Sequence, residues 1–401
     1  MRVTAPDVGT VPRVGVDLFT DDLLDDPYRQ LRALRQAGPL VWLEAHDMYA
    51  ATRYAEVRSI LDDDATFVSG QGVALNDVLN GLGRGTTLMS DGDEHRTQRE
   101  IIGRPLAPRS LADLRPEAQA MADALVERLV ERRRFDAVAD LAAVLPTTWV
   151  PDLLGWPADG RAHLADWASS QFDGLGPLNA RALAASDDIV AMATYAVQLA
   201  AMDLPEHCFG AGIQRAARRG EIEPSRCPML FIDYLAPSLD TTISALGNAL
   251  WLLATHPDQW RLLRREPGRI KAAFNEALRL ESPISCFTRV AGVDTSVGGC
   301  AVPAGARVLV SFASANRDER RWDEPERFDI SRESAGQLAF GYGEHACVGM
   351  GLARLEGAAV LTALVERVGT IELDGEPVRK RNNLIRSFRS LPLSVTPSGG
   401  P

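Results

Sequence analysis

The chain has 401 residues, of which 46% are hydrophobic and 24% are charged, and its formal net charge at pH 7 is −11. This length allows a large buried core in one domain, and the negative charge argues against nucleic acid as a partner. Five cysteines with no paired spacing indicate neither disulfides nor a zinc cluster. No segment has the roughly 20 uncharged apolar residues of a membrane span, so we expect a cytoplasmic protein without a membrane partner.

The N-terminal region is expected to begin with a helix and a small β-rich part. Asp26-Pro27 is typical of a helix start and Gly38 of a helix end. The β-forming runs at 41–43 and 48–52 predict a hairpin, and a helix should follow at about 54–62.

Most of the remaining chain has helical patterns. Residues 69–90 are an exception, because they are rich in glycine and irregular, and a loop of that length is usually functional. Long helices are predicted at 111–133, 186–202 and 227–256, and β-forming residues return after about 290. We therefore expect a mainly α fold with small β-sheets in a single domain over residues 1–401. Its minor β-containing lobe should come from about 38–70, 290–312 and 370–397.

A proline interrupts the last of these predicted helices at Pro237. Because proline has no backbone N–H, it would leave the carbonyl of Asp233 without its usual partner and kink the helix. A break between two shorter helices is the alternative. Ser238 and the acid–alcohol pair Asp240 and Thr241 bring polar groups to the kink, which is typical of a functional site.

Glu276 and Arg279 are three residues apart on one predicted helical face, close enough to form an ion pair. On a protein surface such a pair would contribute little to stability. Here the helix is apolar, and Arg327 downstream offers a second guanidinium to the same carboxylate. The three side chains would then lock two chain segments together.

A glycine-rich stretch that begins at Phe340 places Cys347 directly before an apolar helix. A thiolate that ligates haem iron must stay ionised and shielded, with backbone N–H groups directed at it. We expect Gly341, Gly343 and Gly349 to adopt positive φ and let the loop approach a flat macrocycle, while Phe340 covers the sulfur. On composition alone, an inert buried cysteine is an equal alternative.

Together these motifs resemble those of the cytochrome P450 family, the haem-thiolate monooxygenases, over nearly the whole chain. The resemblance implies a triangular helical prism with haem b between a kinked distal helix and a proximal cysteine loop. Cys347 matches the axial iron ligand of the family, and Glu276, Arg279 and Arg327 match its structural triad. The other residues that match haem-binding positions are Phe340, Gly341 and Gly349 in the loop, and His95, Arg99, Arg289 and His345 for the two propionates.

Asp240 and Thr241 match the pair that relays protons for dioxygen activation in this family. The chain departs from the usual pattern at Pro237-Ser238, where an Ala-Gly or Gly-Gly pair is normal. We expect proline to supply the kink and the Ser238 hydroxyl to bond dioxygen, a water or the substrate.

The resemblance also implies partner proteins, because 401 residues leave no room for a flavin or iron–sulfur domain beside the haem fold. Electrons would come from NAD(P)H through a ferredoxin and ferredoxin reductase, or an equivalent reductase. A basic docking patch for an acidic ferredoxin is one interpretation of four arginines, with ordinary solvated arginines as the alternative: Arg96, Arg104, Arg109 and Arg115.

Within the family, the chain resembles soluble bacterial members that hydroxylate or O-demethylate para-substituted benzoates. Those enzymes have cations near the substrate carboxylate, where this chain has Gln71, Ile232 and Asp233. A buried anion without cations is costly, so we expect a neutral methoxyphenol whose hydroxyl donates to Asp233. Arg84 would restore benzoate binding if it turned inward, but we expect it to face solvent. The predicted substrate pocket comprises Gln71, Leu75, Phe172, Leu175, Asp233, Pro237, Ile284 and Phe287.

Other functions remain possible from the sequence. The enzyme could oxidise a para-substituted benzoate, or tailor a larger or carrier-bound scaffold in a wider pocket. A haem-binding sensor is a further alternative, although a sensor has no need for the Asp240–Thr241 relay. Cys347 could also be a nucleophile in an enzyme without haem, and that protein would be colourless.

Overall fold

The computed structural model describes residues 11–399, and within them helices far outnumber strands. The α-helices are α1 (Asp21–Asp25), α2 (Tyr28–Ala37), α3 (Tyr54–Asp62), α4 (Asp77–Leu82), α5 (Gly92–Gly103), α6 (Pro108–Arg132), α7 (Val144–Leu154), α8 (Leu164–Leu175), α9 (Ala180–Ala184), α10 (Ser186–Ala201), α11 (Phe209–Arg218), α12 (Cys227–Leu235), α13 (Asp240–Thr255), α14 (Pro257–Arg265), α15 (Ile270–Leu280), α16 (Phe312–Ala315) and α17 (Met350–Arg367). Among these described residues, none of the helices combines the length and the apolar character that crossing a bilayer requires.

The strands are short and belong to four sheets. They are β1 (Arg13–Val14), β2 (Val41–Leu43), β3 (Met48–Ala51), β4 (Phe67–Val68), β5 (Arg134–Asp136), β6 (Cys286–Ala291), β7 (Thr295–Val297), β8 (Cys300–Val302), β9 (Arg307–Ser311), β10 (Val368–Leu373), β11 (Val378–Lys380), β12 (Ser387–Ser390) and β13 (Pro392–Pro397). The largest sheet has the order β1-β2-β3-β9-β6-β4, and the predicted hairpin is its antiparallel pair β2–β3. This mainly α fold with small sheets confirms the predicted fold class.

The predicted minor lobe is divided between sheets. Its first two segments both contribute strands to the six-stranded sheet, where β3 and β9 pair in parallel, but β7 and β8 of the second segment form a separate hairpin. The third segment, 370–397, pairs elsewhere: β10 and β13 form a sheet with β5, and β11 pairs with β12. An isolated bridge between Ile284 and Ile385 is a local connection between the two regions.

The helix predicted at 227–256 is broken into α12 and α13, so the alternative of two shorter helices is the correct one. Pro237 has no N–H to donate back along the helix, and two hydroxyls bond the backbone at the break. Thr241 Oγ1 donates to the carbonyl oxygen of Pro237 at 2.7 Å, and Ser238 Oγ donates to the carbonyl oxygen of Tyr234. The break brings Pro237, Ser238 and Thr241 to the wall of a large cavity.

Two clusters of buried apolar side chains hold the fold together. One lies among the helices and includes Trp149, Leu246 and Val360. The other lies against the six-stranded sheet and includes Leu43 and Leu309. Both clusters contribute to the walls of the cavity described below.

A buried ion cluster fixes the segment that leads towards the cysteine loop. Glu276 and Arg279 are fully buried on α15 and form two N–H···O bonds of 2.8 Å each. The second guanidinium comes from Arg332, whose Nε lies 3.0 Å from Glu276 Oε1. The prediction of Arg327 is wrong, because its side chain is 55% exposed and pairs with Glu324 at 2.9 Å. Only the backbone carbonyl of Arg327 takes part, as an acceptor from Arg279.

This difference predicts unequal effects for two matched substitutions. Arg332→Met should lower the free energy of unfolding by about 2 kcal/mol, because it removes a charged hydrogen bond from a buried carboxylate. Arg327→Met should leave the midpoint of urea unfolding nearly unchanged, because an exposed pair contributes little. Urea titrations of both variants measure the contrast, and equal losses would contradict the assignment of Arg332.

Candidate active site

A cavity of about 580 Å³ is lined by side chains from both apolar clusters. One end of it is formed by residues 339–349 before α17, together with α5 and β6. The other end is formed by α4, α8, α10 and α12. The cavity therefore joins the predicted cysteine loop to the predicted substrate region.

The backbone of the cysteine loop explains why glycine is needed at two positions. Gly341 and Gly343 have φ of 69° and 70°, in the left-handed region that favours glycine. A Cβ on Gly343 would lie 2.3 Å from the carbonyl oxygen of Leu61. Gly349 differs from the prediction, since its φ is −81°. The N–H of Cys347 donates to the carbonyl oxygen of Phe340 at 2.8 Å, which closes the loop.

The Cys347 side chain is accessible from the cavity, which argues against an inert buried thiol. Protein atoms surround the sulfur on its other sides, and this burial raises the pKa of the thiol. The backbone N–H groups of Gly349 and Met350 and the guanidinium of Arg99 act in the opposite direction, because they favour the thiolate. Phe340 also lines the cavity, and the guanidinium of Arg354 lies 5.0 Å from its ring centroid.

All four predicted propionate donors line the cavity: His95, Arg99, Arg289 and His345. The rings of His95 and His345 are 4.0 Å apart between centroids. Burial, together with the charges of His345 and Arg99, lowers the pKa of His95 to about 4. Arg99 donates to the carbonyl oxygen of Ala346 and thereby links α5 to the cysteine loop.

Two of these donors lack the partners that buried polar groups normally have. His95 Nε2 is buried and finds no hydrogen-bond partner in the part of the chain that the structure describes. Arg289 is 4% exposed, donates to the carbonyl oxygen of Thr288 at 2.8 Å, and pairs with no carboxylate within residues 11–399. Burial lowers its pKa to about 10. Buried donors of this kind indicate an anionic ligand, so the residues present fit a haem: Cys347 would ligate the iron and these donors would hold the propionates.

Only one member of the acid–alcohol pair, Asp240 and Thr241, is part of the cavity wall. Thr241 lines the cavity, whereas Asp240 is 3% exposed and faces away from it. Asp240 Oδ1 lies 3.7 Å from the ammonium of Lys380, whose side chain is 30% exposed. Burial raises the pKa of Asp240, and Lys380 opposes that shift. This arrangement places a buried carboxyl beside a partly exposed cation, on the residue that precedes Thr241 of the cavity wall.

Ser238 also lines the cavity, but its hydroxyl proton is committed to the carbonyl oxygen of Tyr234. It can still accept a hydrogen bond from a ligand or water. The predicted role of Ser238 is therefore restricted to that of an acceptor while this bond is kept.

The substrate end contains most of the predicted pocket but not all of it. Six of the eight predicted residues line the cavity: Phe172, Leu175, Asp233, Pro237, Ile284 and Phe287. Gln71 is exposed and Leu75 is packed in the sheet-side core, so both assignments are wrong. Leu79 and Leu82 of α4 are at the cavity instead. Arg84 is exposed and is not part of the wall.

Asp233 has a distinct environment at this end. Its Oδ2 accepts the backbone N–H of Thr87 at 2.8 Å, which ties the residues before α5 to α12. Burial raises the pKa of Asp233 to about 6, because the bonds from Thr87 and Leu88 only partly offset the loss of water. Ile232, the other predicted departure, also lines the cavity.

The cavity has one further acidic group that the sequence analysis did not identify. Glu356 of α17 is 1% exposed, its Oε2 has no hydrogen-bond partner among the described residues, and burial raises its pKa to about 8. The sequence does contain a signal for this group, since Glu356 is an acidic residue within a mostly apolar helical segment.

The predicted basic patch is partly neutralised. Arg104 pairs with Glu100 at 3.0 Å and with Glu221 at 2.8 Å. Arg96 pairs with Asp93. Arg109 and Arg115 are exposed. The patch therefore offers less net positive charge than the sequence suggests.

Comparisons with known proteins agree with this geometry. A family model described as Cytochrome P450 matches residues 218–389. Cytochrome p450 CYP199A2 of Rhodopseudomonas palustris is 38% identical over 393 residues, which cover 97% of this chain and 95% of that protein. Erythromycin C-12 hydroxylase of Saccharopolyspora erythraea is 31% identical over 390 residues, covering 90% and 93%.

A solved structure extends the agreement to the fold. Cytochrome P450 CREJ in complex with (4-ethylphenyl) dihydrogen phosphate has a TM-score of 0.84 and 26% identity, and the match covers 93% of this chain and 98% of that one. The chain therefore belongs to the cytochrome P450 family and is a haem-dependent monooxygenase that receives electrons from NAD(P)H through partner proteins.

Proposed function

We propose that this monooxygenase hydroxylates or O-demethylates a small aromatic substrate, and that a neutral methoxyphenol is its preferred type. The proposal is supported mainly by the negative charge at the end of the cavity where the substrate would bind. Asp233 is the charged group of the wall formed by α4, α8, α10 and α12, and no lysine or arginine of the described residues accompanies it there. A phenolic hydroxyl can donate to Asp233, whereas a benzoate would add a second buried anion.

The size of the cavity supports a small substrate. Pockets for drug-sized ligands have volumes of roughly 300 to 1,000 Å³. The cavity of about 580 Å³ has to hold the haem as well as the substrate, which disfavours a large scaffold. CREJ, whose structure contains a para-substituted aryl phosphate, is a structural neighbour with a small aromatic ligand.

The residues of this chain would divide the work as follows. Cys347 would ligate the iron, and four donors would hold the propionates: His95, Arg99, Arg289 and His345. When bound, the haem supplies the dioxygen chemistry that puts one oxygen atom into the substrate and releases the other as water. Asp240 would take a proton from the solvent side near Lys380 and pass it to the Thr241 hydroxyl at the cavity wall.

The relay predicts a defect for Asp240→Asn. We expect product formation to fall by about 10²-fold, because an amide cannot give up and regain a proton as a carboxyl does. The loss should exceed any change in substrate affinity, measured by spectral titration. Asp166→Asn, which removes an exposed carboxylate of α8 near the same site, is the control and should retain turnover. Full activity in Asp240→Asn would exclude the relay.

The substrate proposal is tested with the haem-loaded enzyme by titration of 2-methoxyphenol and of 4-methoxybenzoate. We expect a high-spin shift of the Soret band with the phenol, followed by formaldehyde release with NADH, a ferredoxin and its reductase. A shift with the benzoate alone would overturn the phenol proposal. Comparable binding of a macrolide-sized scaffold would favour a tailoring oxidase.

A further inference from the structure

We propose that Asp233 makes the substrate pocket a binding site for aromatic substrates that carry a positive charge, namely aryl- or arylalkylammonium cations, in addition to neutral phenols. This inference rests on the proposed function, because it assigns a second substrate class to the same site. It depends on the charges around the cavity and on what each of them pairs with.

The carboxyl of Asp233 has hydrogen bonds from the protein but no counter-charge among the described residues. Asp233 is on the last turn of α12, and its Oδ2 accepts the N–H of Thr87 at 2.8 Å. Its other protein contacts come from the same segment, Thr87 and Leu88, and within residues 11–399 no lysine, arginine or histidine forms a salt bridge with Asp233. The protein therefore provides an acceptor at the cavity wall without a matching cation.

The nearby cations do not contact Asp233. Arg226, next to α12, pairs with Glu94 at 2.8 Å, and Arg84 is exposed. The arginine and histidine side chains that line the cavity are at its other end, where they fit the propionates: His95, Arg99, Arg289 and His345. A positive charge for Asp233 would therefore have to come from a ligand.

The energetics favour such a ligand over an anionic one. A carboxylate without water or a counter-charge is costly, and the raised pKa of Asp233 reflects that cost. A ligand cation stabilises the ionised form of Asp233 through direct attraction in an environment of low dielectric constant. A ligand carboxylate would be repelled by the same group.

The test compares two ligands of nearly equal shape that differ in charge, (4-methoxyphenyl)trimethylammonium and 4-tert-butylanisole. The quaternary nitrogen has no lone pair and cannot ligate the haem iron. Dissociation constants are measured from the Soret shift and from the increase in melting temperature of the haem-loaded protein. We expect the wild type to bind the cation at least as tightly as the neutral ligand, even though the cation is much better hydrated in water.

Asp233→Asn provides the matched variant, because the amide oxygen can still accept the N–H of Thr87. It should weaken binding of the cation by about 10-fold or more and change binding of the neutral ligand by less than about 3-fold. Asp187→Asn removes an exposed carboxylate from α10 and should leave both constants unchanged.

The two proposals fail in distinguishable ways. If the wild type binds the cation at least 10-fold more weakly than the neutral ligand, or if Asp233→Asn leaves their ratio unchanged, the cation site is overturned while phenol binding stands. If neither these ligands nor methoxyphenols bind, the proposed function fails as well. Should Asp233→Asn not load haem, the wild-type ratio alone decides.

Discussion

Replacement of Cys347 by serine is expected to reduce turnover by about 10³-fold or more, a loss of roughly 4 kcal/mol of transition-state stabilisation. A serine hydroxyl does not ionise at neutral pH and cannot donate electron density to the iron as a thiolate does. The backbone N–H groups of Gly349 and Met350 would then face a neutral oxygen. The measurement is the carbon monoxide spectrum of the reduced protein, together with substrate-dependent NADH oxidation.

Cys300→Ser is a suitable control, because Cys300 is a buried cysteine on β8 and is not part of the cavity wall. It should retain the thiolate-type carbon monoxide spectrum. If Cys347→Ser kept that spectrum and its turnover, the iron ligand would have to be another residue.

Glu281→Gln is expected to lower the free energy of unfolding by about 3 to 5 kcal/mol at pH 7. Glu281 is 1% exposed and bonds three guanidinium groups, at 2.8 Å to Arg317, 3.1 Å to Arg379 and 2.6 Å to Arg386. A neutral amide would leave these buried cations without their shared carboxylate. Urea titrations measure the loss, and Glu333→Gln, at an exposed position, should stay within about 0.5 kcal/mol.

The same cluster predicts a dependence on pH. Burial alone would raise the pKa of Glu281, but Arg386, Arg317 and Arg379 outweigh it and lower the pKa to about 2. Because the folded value is below the unfolded one, the stabilisation is complete above about pH 4.5 and is lost as pH falls towards 2. Glu281→Gln should therefore lose less stability than the wild type over that interval, and parallel curves would contradict this role.

Local signals predicted those parts of the site that depend on short sequence spacing. Glu276 and Arg279 are three residues apart on a helix, and their pairing could be read directly from that spacing. The glycines likewise predicted the turns at Gly341 and Gly343, although the same signal failed at Gly349, whose φ is negative.

Contacts between distant segments could not be predicted in this way. Arg327 and Arg332 are five residues apart in one irregular stretch, and no local feature shows which of them reaches Glu276. Gln71 and Leu75 were misplaced for a related reason, since the path of residues 69–90 depends on long-range bonds. The Asn76 side chain caps α4 by accepting the N–H of Leu79, and this short helix brings Leu79 to the cavity. The sequence signal for this helix is Asn76, because asparagine is typical of the position before a helix, and the sequence analysis did not use it.

The hydrogen bond between Thr87 and Asp233 couples the conformation of the loop before α5 to ligand binding in the pocket. Any ligand that draws Asp233 towards itself alters the free energy of the Thr87 contact, and thermodynamic linkage requires the reverse effect of equal size. A cation that strengthens the carboxylate as an acceptor would tighten the loop, whereas protonation of Asp233 would release it. The rate of hydrogen exchange at the Thr87 amide should therefore distinguish the kinds of ligand in the pocket, and this measurement does not depend on the absorption of the haem.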